Sequence, residues 1–249
     1  MFESILFIFG LIIGSFLNVV IARLGKKKSF WSGRSECPKC KYQINWYDNI
    51  PVISFIILRG RCRNCHQSIS WQYPMVELAT ALMFVWIYTV FGLGAKFFIY
   101  SVFSSFLMVL FVYDLKHYLI LDRVSVPAMI VAFLGNIYLG AGLADLLLGS
   151  AIGAGFFAAQ YFISGGRWVG DGDIRLGAVM GLMLGWKFVL VALFIAYLTG
   201  ATVGVFLMML KKKKMSSEVP FGPFLTLATF ITMLYGRELI NWYFNLFYR

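Results

Sequence analysis

Val169-Gly170-Asp171-Gly172-Asp173-Ile174-Arg175-Leu176 lies between two apolar runs, each long enough to enter a bilayer. Charged groups near bilayer depth are expensive and mark function. Glycines on either side of an acid let the backbone turn tightly and let another segment come close. The stretch therefore reads as a glycine turn that presents a reactive acid, Asp173, at a membrane boundary. Such an acid needs a partner from elsewhere in the chain.

The composition agrees with a bilayer as solvent. The chain is 60% hydrophobic and 13% charged, with mean hydropathy +0.79, against about 45–50% apolar and about 25% charged in soluble domains. The expected fold is an all-α polytopic membrane protein. A net charge of +11 would suggest nucleic acid in a soluble protein. Here the crowding of Lys and Arg in cytoplasmic loops accounts for it, and no nucleic-acid partner is expected. The first apolar run, Phe2 to Leu24, lacks a basic n-region and a small-residue cleavage site, so it reads as a retained span. Its Gly10 and Gly14 form a GxxxG pair, and Ser15 and Asn18 share one face, with Asn18 read as an interhelical hydrogen bonder.

Residues 25–73 form the one extended polar segment, with nine Lys and Arg from Lys26 to Arg63 against Glu36 and Asp48. That bias puts the segment in the cytoplasm. It holds Cys37-Pro38-Lys39-Cys40 and Cys62-Arg63-Asn64-Cys65. Each CxxC knuckle offers two thiolates from one tight turn, and four thiolates complete a tetrahedral zinc shell. With no coordination position left open, the metal is expected to be structural, in a zinc ribbon. A disulfide does not suit a reducing cytoplasm. His66 can substitute as a ligand, but a solvated loop histidine is the favoured reading. Ile50 to Leu58 is too short to span and reads as a strand or an interfacial segment.

The remaining spans are expected at Pro74 to Phe91, Lys96 to Tyr113, Val124 to Gly140 and Leu143 to Ile163. Glu77 reads as favouring the positive end of its helix, and Asp145 as a solvated interface residue. The run Lys211 to Lys214 should return to the cytoplasm, so Ile174 to Leu210 must cross an even number of times. At about 1.5 Å per residue it is barely long enough for two crossings. A short helix ending at about Gly185 and a full one from Trp186 to Leu210 satisfy both conditions. Gly177, Gly181 and Gly185 give the short helix a ridge for tight packing. Pro220 to Tyr235 is the last span, before a short external tail. About eight spans result, divided into a first helix (1–24), the cysteine domain (25–73) and a membrane-embedded domain (74–249).

This topology puts Asp114 and Asp173 at the same membrane face. Two carboxylates in one site share a proton, so one activates water while the other protonates a peptide carbonyl. Asp122 and Asp171 compete for the same roles, and either can orient rather than react.

Gly170-Asp171-Gly172-Asp173 followed by Ile174-Arg175-Leu176 resembles the GxGD motif of membrane aspartic proteases. The chain as a whole resembles the bacterial type IV prepilin peptidases. Gly14 to Ile21, the paired CxxC knuckles, Asp114 with Leu121-Asp122 and Pro127, and Pro220-Phe221-Gly222-Pro223-Phe224 are similar to that family's motifs in order. The resemblance implies that Asp114 and Asp173 are the catalytic pair, and that the bilayer-embedded substrates are prepilins or pseudopilins. It also implies N-methylation of the new N-terminus with S-adenosylmethionine, without naming residues for it. It places the protein in the bacterial cytoplasmic (inner) membrane, with the active site and cysteine domain facing the cytoplasm. Arg175 stands where lysine is usual in that family, and Ile120-Leu121-Asp122 lacks the usual proline. A proton-coupled transporter using the same carboxylates and a metal-ribbon scaffold without chemistry are the competing readings.

Overall fold

A computed structural model describes residues 2–25, 35–210 and 220–247. The basic runs Lys26 to Lys28 and Lys211 to Lys214, on which part of the topology was argued, lie outside the described residues. The helices are α1 (Phe2–Leu24), α2 (Ile53–Ile57), α3 (Gln72–Phe91), α4 (Ala95–His117), α5 (Asp122–Tyr138), α6 (Leu143–Ser164), α7 (Asp171–Met209) and α8 (Gly222–Phe247). There is no strand among the described residues, only two isolated bridges. Five of these helices, α1, α3, α4, α6 and α7, are long and apolar enough to cross a membrane. The protein is an all-α, multi-pass membrane protein. Two compact units divide it, Met1–Val109 and Leu110–Arg249.

In the first unit α1 packs against α3. A Cβ on Gly10 would lie 2.5 Å from the Ala81 Cα, and one on Gly14 would lie 2.6 Å from the Glu77 Cα. The GxxxG pair is therefore spent on backbone contact between two helices. Asn18 donates to the Tyr73 carbonyl at 3.0 Å and accepts from the Gln72 amide at 3.2 Å, the interhelical bonding expected of it. Glu77 differs from expectation. It is the sixth residue of α3, too deep to serve the helix terminus, and it accepts the Val52 amide at 2.8 Å and a bond from Ser15. A buried carboxylate needs such partners, and here they tie the polar segment to both helices. Ile50 to Leu58 is not a strand: a 3₁₀ turn at Trp46–Asn49 leads into the five-residue α2.

In the second unit α6 lies along the first half of α7. Gly149 meets Gly181 and Gly153 meets Gly177, so that a Cβ on any of the four would land on the partner's backbone. With no hydrophobic force between helices in lipid, such close backbone approach is what holds a pair together. Gly181→Val should therefore lower the melting temperature of the detergent-purified protein sharply, by about 3 kcal/mol or more of overpacking. Gly155→Ala on the same helix should be neutral or slightly stabilising, since a Cβ there meets nothing within 4 Å. Equal melting of the two variants would contradict the tight seam.

α7 breaks at Gly185, where φ is 77° and ψ 174°. That conformation demands glycine, and it divides α7 where the length argument placed two helices. The break frees backbone groups that lipid cannot satisfy. Asn136 of α5 donates to the Leu182 and Met183 carbonyls at 2.7 and 3.0 Å, and Asp145 of α6 accepts the Trp186 amide at 3.3 Å. Asp145, which stays half-exposed, thus also caps the second half-helix, a role its place in the sequence does not suggest. α8 also runs past its expected end. It kinks at Tyr235 and stays helical to Phe247, where a short tail was expected.

Candidate functional site

Asp114 sits in the last turn of α4 and Asp173 in the first turn of α7, both inside the second unit. They lie on helices rather than in the loops beside them. Both are buried, with 6% and 9% of their surface exposed, and they are close enough for their charges to interact. Asp114 Oδ2 accepts the Gly222 amide at 3.0 Å. A Cβ at Gly222 would lie 3.0 Å from the Asp114 carboxyl carbon, so only glycine lets the amide approach. Asp173 Oδ2 accepts the Gly170 amide at 3.1 Å, closing the start of α7 onto itself. Each carboxylate therefore has one oxygen held by a backbone N–H. The Pro220-Phe221-Gly222-Pro223 motif pointed to this region, although the role of the Gly222 amide was not legible in it.

The two competing acids are placed otherwise. Arg175 Nε pairs with Asp122 at 2.8 Å, and its Nη2 pairs with Asp171 at 3.0 Å. The side chains of Asp122 and Asp171 are 62% and 67% exposed. The Arg175 fork thus clips the start of α5 to the first turn of α7 and is shared between the two solvated acids. Beside it a Cβ on Gly172 would come within 2.9 Å of Ile120 Cβ, so this glycine sets how closely the α4–α5 loop approaches α7. Burial separates Asp114 and Asp173 from Asp122 and Asp171, a distinction that spacing alone could not make.

The four cysteines converge in the first unit. Their sulfurs lie within 4.8 Å of one another, with Cys37 and Cys65 at 3.9 Å. A tetrahedral metal with metal–sulfur bonds of about 2.3 Å needs sulfurs roughly 3.8 Å apart. The knuckles are built alike. Cys37 donates its amide to Tyr42 and Cys62 to Gln67, both at 2.9 Å, and Lys41 and His66 turn each chain with φ of 59° and 55°. His66 completes the second turn and is exposed, and the metal-compatible group consists of the four cysteines. The Tyr42 amide lowers the Cys40 thiol to about 6, and the Cys65 and Asn64 amides lower Cys62. At Cys65 the Gln67 amide also lowers the pKa, but desolvation and the three neighbouring thiols outweigh it and raise that thiol to about 11. Four thiolates this close need a cation between them, and the cluster can bind a metal such as zinc.

Residues 8–91 match the family model described as the Bacterial Peptidase A24 N-terminal domain, and residues 101–205 match the Type IV leader peptidase family. A prepilin leader peptidase/N-methyltransferase of Bacillus subtilis (strain 168) is 34% identical over 98% of both chains. The chain belongs to the type IV leader peptidase family. Another prepilin leader peptidase/N-methyltransferase, from Aeromonas salmonicida (strain A449), is 32% identical over 98% of this chain and 94% of its own. A third, from Pseudomonas aeruginosa, is 30% identical over 94% and 90%. No solved structure matches. Within the family framework the four cysteines fall inside the N-terminal match, and Asp114 and Asp173 both fall inside the leader peptidase match.

Proposed function

We propose that this protein is an aspartic endopeptidase that removes the short basic leader of type IV prepilins or pseudopilins at the cytoplasmic face of the membrane, and then N-methylates the new N-terminus. The observation that carries the peptidase reading is the burial of Asp114 and Asp173 together, each with one oxygen held by a backbone amide, while Arg175 occupies the neighbouring acids. One carboxylate takes a proton from water, and the water oxygen attacks the scissile carbonyl carbon. The other carboxyl donates its proton to the carbonyl oxygen. Collapse of the tetrahedral intermediate breaks the C–N bond: the leaving amine takes up the proton removed from water, and one hydroxyl of the intermediate returns its proton to the carboxylate that acted as acid. The Gly170 and Gly222 amides fix the carboxylate planes through this cycle, which keeps the remaining oxygens positioned for the water and the carbonyl.

A prepilin suits this placement. Its basic leader stays in the cytoplasm while its apolar helix lies in the bilayer, so the scissile bond sits at the interface where α4 ends and α7 begins. The cysteine segment, residues 25–73, is a structural zinc ribbon inserted between the first span and the protease portion, residues 74–249. Its excess of Lys and Arg orients it to the cytoplasm. S-adenosylmethionine is the methyl donor that the N-methyltransferase reading requires. A groove in the first unit is lined by Arg59 and Arg61 and by no acid, a donor set that does not fit a sulfonium cation, so no step of methyl transfer is placed there.

The test incubates the purified protein with a prepilin and follows leader release, and methyl addition with the donor supplied, by mass. Release dependent on both Asp114 and Asp173 supports the reading. A transporter or a metal-ribbon scaffold would release no leader.

A further inference from the structure

Peptide cleavage uses neither the apolar side of the ribbon nor the arginines beside it. In the first unit an open groove of about 850 Å³ is formed between the ribbon and the start of α3. Phe55 and Ile56 line it from α2, Leu78 from α3 and Trp71 from the residue just before α3, and Arg59 and Arg61 complete it. The wall is built rather than loose. Arg59 is held in the left-handed region (φ 51°), and Gly60 follows at φ 67°, with the Phe55 ring 3.1 Å from where its Cβ would be. Phe55 packs on Trp71 at 4.9 Å between centroids. No side-chain hydrogen bond or ion pair among the described residues engages either guanidinium, whereas the nearby Arg63 is paired to Asp48 at 2.7 Å.

The groove also has a fixed depth. α3 is a membrane-crossing helix that begins at Gln72, so Leu78 lies only about 9 Å along its axis. Trp71 then sits at the level where tryptophans collect between headgroups and acyl chains. Ile53, Ile56, Ile57, Trp71 and Met75 are all exposed, an apolar surface that water would penalise and an interface would not. Two guanidiniums without a carboxylate favour a phosphate, and they disfavour a basic leader peptide as much as a sulfonium. Apolar walls at interfacial depth favour a phosphate that carries acyl chains.

We propose that this groove binds an anionic phospholipid, with Arg59 and Arg61 on its phosphate and its upper acyl carbons against Ile56, Trp71 and Leu78. Native mass spectrometry of the full-length protein released from detergent tests this with phosphatidylglycerol and phosphatidylcholine in parallel. Wild type should retain phosphatidylglycerol in preference to phosphatidylcholine, and R59Q/R61Q should bind phosphatidylglycerol about 30-fold more weakly. R59K/R61K should keep most of the binding. I56N, which leaves both charges in place, should weaken retention as well, and it decides the matter if the double glutamine variant melts early. Inorganic phosphate should compete poorly, because it lacks the chains. The inference is overturned if R59Q/R61Q retains phosphatidylglycerol as wild type does, if phosphatidylcholine binds equally, or if inorganic phosphate displaces the lipid at matched concentration.

Discussion

Asp173→Asn should lower leader release by about 10²–10⁴-fold, and Asp114→Asn by a similar factor, since each removes one proton-transfer group. Asparagine is nearly isosteric with aspartate, and its carbonyl oxygen can still accept the amide that each carboxylate holds, Gly170 for position 173 and Gly222 for position 114. The helix starts therefore survive, and melting temperatures should stay near wild type. What is lost is the capacity to take a proton from water or to give one to the carbonyl. Because the two groups act as a unit, the double variant should be little worse than either single one. Asp122→Asn and Asp171→Asn are the controls. Their carboxylates are exposed and, among the described residues, paired to Arg175, so each should cost less than about tenfold, in line with a surface ion pair. If Asp171→Asn falls as far as Asp173→Asn, the assignment within the GxGD stretch is wrong.

The placement of these acids was legible in the sequence only as a matter of parity. Counting crossings put Asp114 and Asp173 at one face, and the same counting placed a break near Gly185. Chain length and charge decide both, because bilayer thickness and the placement of Lys and Arg constrain them strongly. Side-chain partners were legible where one residue type leaves a single outlet, as with Asn18 inside a helix pair. They were not legible where the partner is remote. Glu77 stands near the start of its own helix, yet its partner is the amide of Val52, across the ribbon. Asp145 read as a solvated interface residue, and nothing in the sequence pattern singled out Asn136. Their work is done at a break in a helix some forty positions later, and only the folded backbone shows which amides and carbonyls that break frees. The Arg175 fork belongs to the same class: nothing in the spacing of Asp122, Asp171 and Arg175 says that one guanidinium spans both acids. Of the two readings of Ile50 to Leu58, the strand failed for another reason. A short apolar run has no period to read, and a positive φ at Val52 together with the Glu77 bond settles it as a helical turn.

Removing metal from the cysteine cluster should unfold the ribbon while leaving the helical bundle intact. Within residues 35–71 only Cys37 and Ser54 are buried, so the segment has almost no core of its own. Its regular structure amounts to two isolated bridges, one 3₁₀ turn and a five-residue helix. A segment this thin cannot repay its conformational entropy by burial and needs a staple. Structural zinc in small domains contributes about 10–16 kcal/mol of apparent binding free energy at neutral pH, most of it folding free energy. Stripping zinc with a strong chelator, or replacing Cys37 and Cys62 by serine, should therefore open residues 35–71 to protease while helical circular dichroism falls only slightly. Metal analysis of the untreated protein should find one zinc per chain. Retention should weaken as pH falls, because the ligands must be thiolates and protons compete with the metal. Trp71 fluorescence should change with it, since the contact of its ring with Phe55 joins the ribbon to the start of α3. A chelated protein whose ribbon resists protease as the untreated one does would show that the four cysteines hold the fold without a metal.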